Sequence, residues 1–427
     1  MSCGLLNRWD AAILGCRFVD ALSDALVYGN LPVFFTEVFG VGDVTVAWAI
    51  AFFELACRAY SFSVAARAQD TWPKYGPFGA TVVTKLLGVV ALLAIVLPAC
   101  LAGSGTEAGF FATSLTYNGV LALAETLSSA VYLNAYVRVS KGREGPVYEL
   151  LSSCDYYVSN LAGLSTRLIM YGLRAVPLWG AATADILILS LGMAGFVGSA
   201  AIAHVLQHHF VEDTRMRPSP EAETPATWAE TVPFFLYAAV VLGAEAGADQ
   251  LGLTLPKFII RRYGDVTAYP LYQAINPLVV LLLLPVVTYA LPKGWSIPWL
   301  LVAGTGIQAA AWLGIALLAD WSRYVVVVAL VVYTIGELVA FPRLTAYVMR
   351  EIVPKGSLGV LQSRMTLPRG LVGAGITGAS GYLLETYCPS AAQCSTLQLW
   401  LPVAAVTALT PLAMPFFHIF YMKQRRV

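Results

Sequence analysis

Apolar runs of about 20 residues recur along the whole chain, each long enough as a helix to cross a hydrocarbon layer about 30 Å thick. They are bounded by charge, glycine or proline. Six fall near 11–36, 44–66, 78–101, 109–137, 150–173 and 177–205, and six more near 231–256, 267–291, 297–319, 322–348, 358–384 and 396–421. Lipid offers the backbone no hydrogen-bond partners, so runs of this length are helices. The spacing predicts an all-α polytopic membrane protein, twelve transmembrane helices in two pseudo-symmetric six-helix bundles. With 58% hydrophobic and 12% charged residues, a soluble domain is excluded. A formal net charge of +1 leaves no basic stripe, so nucleic acid is not an expected partner. The first run is longer than a signal-peptide core and follows no basic region, and it reads as a retained first helix.

Between the two sets lies "QHHFVEDTRMRPSPEAETPATWAE", polar and rich in proline, glutamate and threonine. The expected organisation is an N-terminal bundle at 1–206, a cytosolic linker at 207–230 and a C-terminal bundle at 231–427. An even number of spans puts both termini on one side. Fourteen Lys and Arg fall on that side and five opposite, so the positive-inside rule makes the termini and linker cytosolic. "KFIIRRYGD", 257–265, is the local exception. It reads as a basic outer loop tolerated because charges of the first half dominate orientation.

The halves share sequence. "LPVFFTEVFGVGDVT" (31–45) matches "LPKFIIRRYGDVT" (255–267), and "ETLSSAVYLNAYV" (125–137) matches "GELVAFPRLTAYV" (336–348), in the same order and at nearly the same spacing. This is the mark of a duplicated unit. Asp20 and Asp24 precede Pro32 much as Glu245 and Asp249 precede Pro256. Each repeat therefore carries an acid pair at i, i+4 on one face of its first helix.

Charge inside the membrane must be paired, solvated or protonated. The spans hold nine acids (Asp20, Asp24, Glu54, Glu125, Asp155, Asp185, Glu245, Asp249, Glu337) and seven bases (Arg17, Arg58, Lys85, Arg167, Arg343, Arg364, Arg369). Acids outnumber bases, which leaves carboxyls to carry protons. Arg17 with Asp20, and Glu54 with Arg58, have helical spacing and read as structural ion pairs. Asp155, Arg167, Arg364 and Arg369 lie nearer helix ends, where side chains reach the interface. Asp24, Glu125, Glu245 and Glu337 sit near mid-span with no base at helical spacing, and these are the candidates for proton coupling. Lys85, set in "TVVTKLLGVV", is a counter-ion for one acid or a contact for an anionic substrate group. Asp20, Lys85, Tyr28, Asn30, Asn276, Tyr333 and Asp249 form the expected substrate-binding set. Asn134, Tyr272, Gln273 and Gln308 are polar at similar depth and serve equally as interhelical glue. Pro32, Pro256, Pro277 and Pro342 are expected to interrupt helices near these residues, with packing the better reading for Pro277 alone. Gly370, Ala374 and Gly378, four apart, allow close helix contact.

No Cys or His spacing makes a metal site, and no cofactor is implied. His204 and His208 at i, i+4 read as a solvated helix end or a weak metal pair. Cys388 and Cys394 share one loop, as a small disulfide if it faces an oxidising compartment or as two free thiols.

Six plus six helices, a central linker and related halves resemble the major facilitator superfamily over essentially the whole chain. "RFVDALSDALVYGNLPVFFTEVFG" is similar to the first helix of many members. "YQAINPLVVLLLLPVV" (272–287) and "YTIGELVAFPRL" (333–344) resemble the eighth and tenth helices of proton-coupled oligopeptide transporters. Where that family has two Glu flanking an Arg and then Tyr-Tyr-Gly, this chain has Asp20, Asp24 and "VYG". The resemblance implies proton coupling or substrate contact at Glu337 and a helix bend at Asn276-Pro277. It leads to an expectation of secondary active transport by alternating access, of a small polar or zwitterionic solute, with protons. A sodium-linked carrier or a drug or metabolite efflux pump is the alternative; a non-transporting sensor or a membrane enzyme fits less well. The expected partners are the solute, protons (or sodium) and the lipid bilayer. The protein is expected to work as a monomer in the plasma membrane or an organelle membrane.

Overall fold

The computed structural model describes residues 8–38, 40–52, 55, 82–83, 85–90, 92–93, 146–178, 180–214, 228–290, 296–347, 358–390 and 393–422. Among these residues all regular structure is helical. The elements are α1 (Arg8–Tyr28), α2 (Asp43–Phe52), α3 (Pro146–Arg174), α4 (Ala181–Thr214), α5 (Trp228–Asp249) and α6 (Thr254–Tyr263). They continue with α7 (Tyr269–Ala290), α8 (Ile297–Leu318), α9 (Arg323–Tyr347), α10 (Leu358–Tyr387) and α11 (Thr396–Phe416).

The first helix of each matched set differs from the single run expected. α1 stops at Tyr28 and the chain restarts as one helical turn, Leu31–Val33, running into a π-helical turn, Phe34–Val38. α5 stops at Asp249 and restarts as α6. Pro32 and Pro256 lie in the first turns after these breaks, where a missing N–H costs nothing. The two restarts end alike: Gly40 has φ 69° and Gly264 φ 71°, the left-handed conformation that glycine adopts freely. They occupy matching places in the two aligned stretches.

Pro277 and Pro342 do not interrupt their helices. Both lie inside continuous α7 and α9, and a Cβ on Gly163 would stand 3.8 Å from the Pro277 ring. Packing accounts for Pro277. α4 runs on to Thr214, into the stretch expected to be linker from 207.

Five described helical stretches are long and apolar enough to cross a membrane: Ala182–Gln207, Tyr269–Val287, Ile297–Leu318, Arg323–Leu344 and Thr396–Phe420. α1 packs on α3 and α4; α8 packs on α9 and α11; α5 packs on α10 and α11. α3 lies against α7, which joins the first-half helices to the second-half ones. Tight spots follow small residues. A Cβ on Gly304 would come within 2.6 Å of the Gly336 carbonyl, so α8 and α9 touch backbone to backbone there. Deeper in the second half, Trp312 and Trp400 stack with centroids 4.9 Å apart, and Tyr333 lies against Trp312.

Candidate functional site

Among the described residues, several polar clusters interrupt this apolar packing. At the contact of α3, α7 and α9, Glu337 is buried with 9% of its surface exposed. The Tyr156 hydroxyl donates to its Oε1 at 2.9 Å, and Asn276 Nδ2 donates to Oε2 at 2.5 Å. Asn276 also donates to the Thr334 hydroxyl at 3.1 Å. Among the described residues no cation lies within ion-pair distance of Glu337. Its partners are neutral, and one of them, Tyr156, comes from a first-half helix.

The second cluster lies within the first half. Lys85 Nζ sits 2.5 Å from Asp20 Oδ1 and 3.0 Å from Asp24 Oδ1, over the Phe196 ring at 4.8 Å. Ser199 donates to Asp20 at 3.3 Å. Arg17 lies 3.8 Å from Asp20 but 3.2 Å from Asp155 on α3. The expected self-contained Arg17–Asp20 bridge is therefore a minor contact. Asp20 is fully buried, and Lys85 is its close partner because a buried carboxylate requires the nearest cation that can reach it. Lys85 serves two acids rather than one. Asp155, placed near a helix end in sequence, is part of this network.

The third cluster occupies the distal end of the bundle, where α1 ends. Lys257 Nζ lies 2.7 Å from Asp43 Oδ1, and Arg261 Nη1 lies 2.6 Å from Asp43 Oδ2. Arg261 also meets Glu37 Oε1 through Nε at 3.2 Å and Nη2 at 2.9 Å. Its Nη1 donates further to the Cys388 carbonyl at 2.8 Å. Lys257 and Arg261 are nearly buried, so the "KFIIRR" stretch is no tolerated surface loop. Lys257 and Arg261 turn inward to neutralise Asp43 and Glu37, just beyond the first helix of the first repeat, while Arg262 pairs with Asp320. Burial works to raise the Asp43 carboxyl, but Lys257 and Arg261 outweigh it and hold the group below its ordinary value. For Arg261 burial works to lower the guanidinium, and Asp43 and Glu37 reverse that and raise it.

Beside this cluster Arg174 pairs with Asp185, donates to Asn30 Oδ1 at 3.0 Å and stands over the Tyr269 ring at 4.9 Å. Tyr269 donates to the same Asn30 oxygen at 3.2 Å, so the break after α1 is tied to the start of α7. Arg167 faces the break as well. A Cβ on Gly29 would come within 3.0 Å of its Cζ, which places the guanidinium at the carbonyl end of α1 rather than at the lipid interface. A helix C-terminus favours a cation there.

The expected residues thus divide. Glu337 and Asn276 meet in the centre, Asp20, Asp24, Lys85 and Arg17 in the first-half network, and Asn30 at the distal end. Tyr333 is buried against Trp312, within electrostatic reach of Glu337 and Asp249. Glu245 and Asp249 lie half-buried on α5. Glu54, Arg58 and Glu125, with the side chains of Tyr28, Arg364 and Arg369, lie outside the described residues. Cys388 and Cys394 form a disulfide, Cα atoms 4.0 Å apart. No metal cluster occurs among the described residues.

Tyr156, Glu37, Asp43, Lys257, Arg261, Arg174, Asp185 and Tyr269 carry contacts that sequence reasoning did not assign. One signal was available. Aligning the two restarts places Glu37 opposite Arg261, and these two bond each other. Equivalent positions of opposite charge in related halves meet where the halves face one another.

Comparison of the whole shape with solved structures is now informative. A POT family transporter crystallised with a thioalcohol-conjugated peptide superposes with TM-score 0.68 at 15% identity, covering 96% of each chain. The fold is that of POT family transporters. A POT family transporter in complex with 5-aminolevulinic acid gives TM-score 0.67 at 14% identity, again over 96% of each chain. The nucleoside transporter NupG gives 0.65 at 14% identity over 97% of this chain and all of that one. No family model and no curated protein matches the sequence.

Proposed function

We propose that this chain is a secondary active transporter that moves a small polar or zwitterionic solute by alternating access, coupled to protons. The observation that carries the reading is Glu337: a buried acid whose partners among the described residues are neutral donors, one from each half. A proton arriving there needs no cation to be displaced. It converts Oε1 or Oε2 from acceptor to donor and weakens the bond to Tyr156, a contact between the halves. A solute with a cationic group, entering beside Asn276, competes for the same carboxyl. Differential protonation between two states is the coupling.

The distal clusters supply the other requirement, an end that closes. Glu37 and Asp43 from the first half hold Lys257 and Arg261 from the second, and Asn30 holds Tyr269. With both termini cytosolic the distal end is the outer one, and this conformation is shut to the outside. Similar shapes solved with a peptide conjugate and with 5-aminolevulinic acid, and that of a nucleoside carrier, support small polar solutes as the class.

The test is internal pH in proteoliposomes holding wild type or Glu337→Gln, with peptides, amino acids, organic acids, nucleosides and drugs added outside. One solute should acidify the lumen in wild type and not in the variant. A labelled solute that crosses equally in both, without proton movement, would sink the coupling and leave a uniporter or sodium-linked carrier.

A further inference from the structure

The disulfide stands in direct contact with the distal gate. Cys388 follows the last residue of α10, and its carbonyl is among those a helix end leaves without an intrahelical donor. Arg261 Nη1 supplies that donor at 2.8 Å, while the same nitrogen holds Asp43 at 2.6 Å. A cation at a helix C-terminus is also favoured by the helix dipole. The end of α10 reaches the first-half side too, since Glu385 Oε2 accepts the Val44 backbone N–H at 3.1 Å, at the start of α2. What keeps this helix end in place is the Cys388–Cys394 bond together with the Ser395 N–H donating to the Tyr387 carbonyl at 2.6 Å; both tie α10 to the start of α11.

We propose that the Cys388–Cys394 disulfide is a latch on the distal gate: it holds the Cys388 carbonyl on Arg261, and its reduction by a dithiol shifts the protein toward the distal-open state. The proposal rests on the reading that this cluster opens during transport. Reduction delivers two electrons and two protons to the bond, leaving two thiols on the protein and the reductant as a cyclic disulfide. The end of α10 then frays as an unstapled helix terminus does. Arg261 loses an ordered acceptor while keeping Glu37 and Asp43. The gate is loosened rather than abolished. Both sulfurs' residues are buried, Cys388 fully and Cys394 to 8% exposure, so the reductant reaches the bond when the gate opens.

The experiment is amide hydrogen exchange of the full chain in lipid nanodiscs, read at 257–261, since Glu385 holds the Val44 N–H independently of Arg261. Oxidised wild type is compared with wild type treated with dithiothreitol and with Cys388→Ser/Cys394→Ser. The comparison is repeated in Glu37→Gln/Arg261→Gln, which removes the arginine with its acid and strands no charge. Reduction and the serine variant should each raise exchange at the gate roughly tenfold, the scale of one charge-assisted hydrogen bond, and add nothing in the Gln/Gln background. An equal rise in both backgrounds makes the disulfide a loop staple and overturns the latch, as does no rise in wild type. Solute flux on the same preparations separates the two ideas. Flux and gate exchange that are both indifferent to reduction overturn the latch and leave the carrier. The expected exchange pattern with no flux for any solute keeps the latch and overturns the carrier.

Discussion

The distal cluster and the Glu337 site hold carboxylates away from water, Asp43 about as deeply as Glu337 and Glu37 less so, and satisfy them in opposite ways. Glu37 and Asp43 are matched by two cations and a helix-end carbonyl completes Arg261; Glu337 has a phenol and an amide. A paired charge resists protonation because the proton must displace a cation from a carboxylate that burial has made dependent on it. An acid held by neutral donors faces no such competition. On the proposed reading, the same desolvation makes a lock in one place and a proton port in the other. The Lys85 network is of the first kind, which favours a structural role for Asp20 and Asp24, although the sequence pattern placed Asp24 with Glu337 for proton coupling and Asp20 in the substrate-binding set.

The comparison breaks most visibly when a cation is taken away. Arg261→Ala takes from Glu37 and Asp43 the cation they share, and Lys85→Met takes from Asp20 and Asp24 theirs. Stranding a buried charge costs about 3–5 kcal/mol. Arg261→Ala should pay it by opening the distal end, seen as increased exchange at 257–261 with the thermal midpoint little changed. Lys85→Met has no gate to open, and the loss should appear as a lowered thermal midpoint in detergent. If both variants merely melt early, the distal cluster is a brace and not a gate.

A smaller effect separates the neutral site. Tyr156→Phe removes one hydrogen bond from Glu337 and strands no cation, a loss of about 1 kcal/mol in stability. Solute-driven lumen acidification should persist with an altered pH dependence, since one of two groups that favour the ionised carboxyl is gone. Tyr156→Phe that abolishes solute flux entirely would instead make the phenol a direct solute contact.

Much of the fold was legible because hydrocarbon thickness fixes run length, and runs such as 297–319 and 396–421 became α8 and α11 with little change. The helices carrying charge were harder. α1 and α5 each read as one span, yet each breaks just beyond its acid pair, and the break is set by a glycine or polar residue whose effect depends on what packs against it. Glu337 stood out because no base lies at helical spacing from it on its own helix. Tyr156 did not, because an aromatic residue in a membrane helix is ordinary until the neighbour it faces is known. The gate was hidden by orientation bookkeeping: Lys257 and Arg261 were counted as outer-loop charge, and a count of charges contains no information about which way they turn. The repeat alignment did contain it, in the opposition of Glu37 and Arg261.

The smallest expected effect sharpens the comparison by its absence at neutral pH. The Asp43 carboxyl is held below its ordinary value by Lys257 and Arg261 against the opposing pull of burial. A depressed folded-state value means that the group's contribution to the closed end is fully present above the ordinary aspartate range, about pH 4, and is lost only as pH falls through the lowered value. Protection at 43–46 and 257–261, that is, exchange corrected for its intrinsic pH dependence, should accordingly stay flat from about pH 8 to pH 5 and fall only below about pH 4. Solute-driven proton uptake, which the proposal assigns to Glu337, should follow a pH profile separate from that of the gate. Asp43→Asn makes a useful contrast: it abolishes the acid limb of the exchange profile while leaving the pH dependence of uptake in place. Exchange at the gate that instead tracks uptake between pH 5 and pH 8 would mean that the distal cluster is itself the proton-responsive element, and the division between lock and port would have to be redrawn.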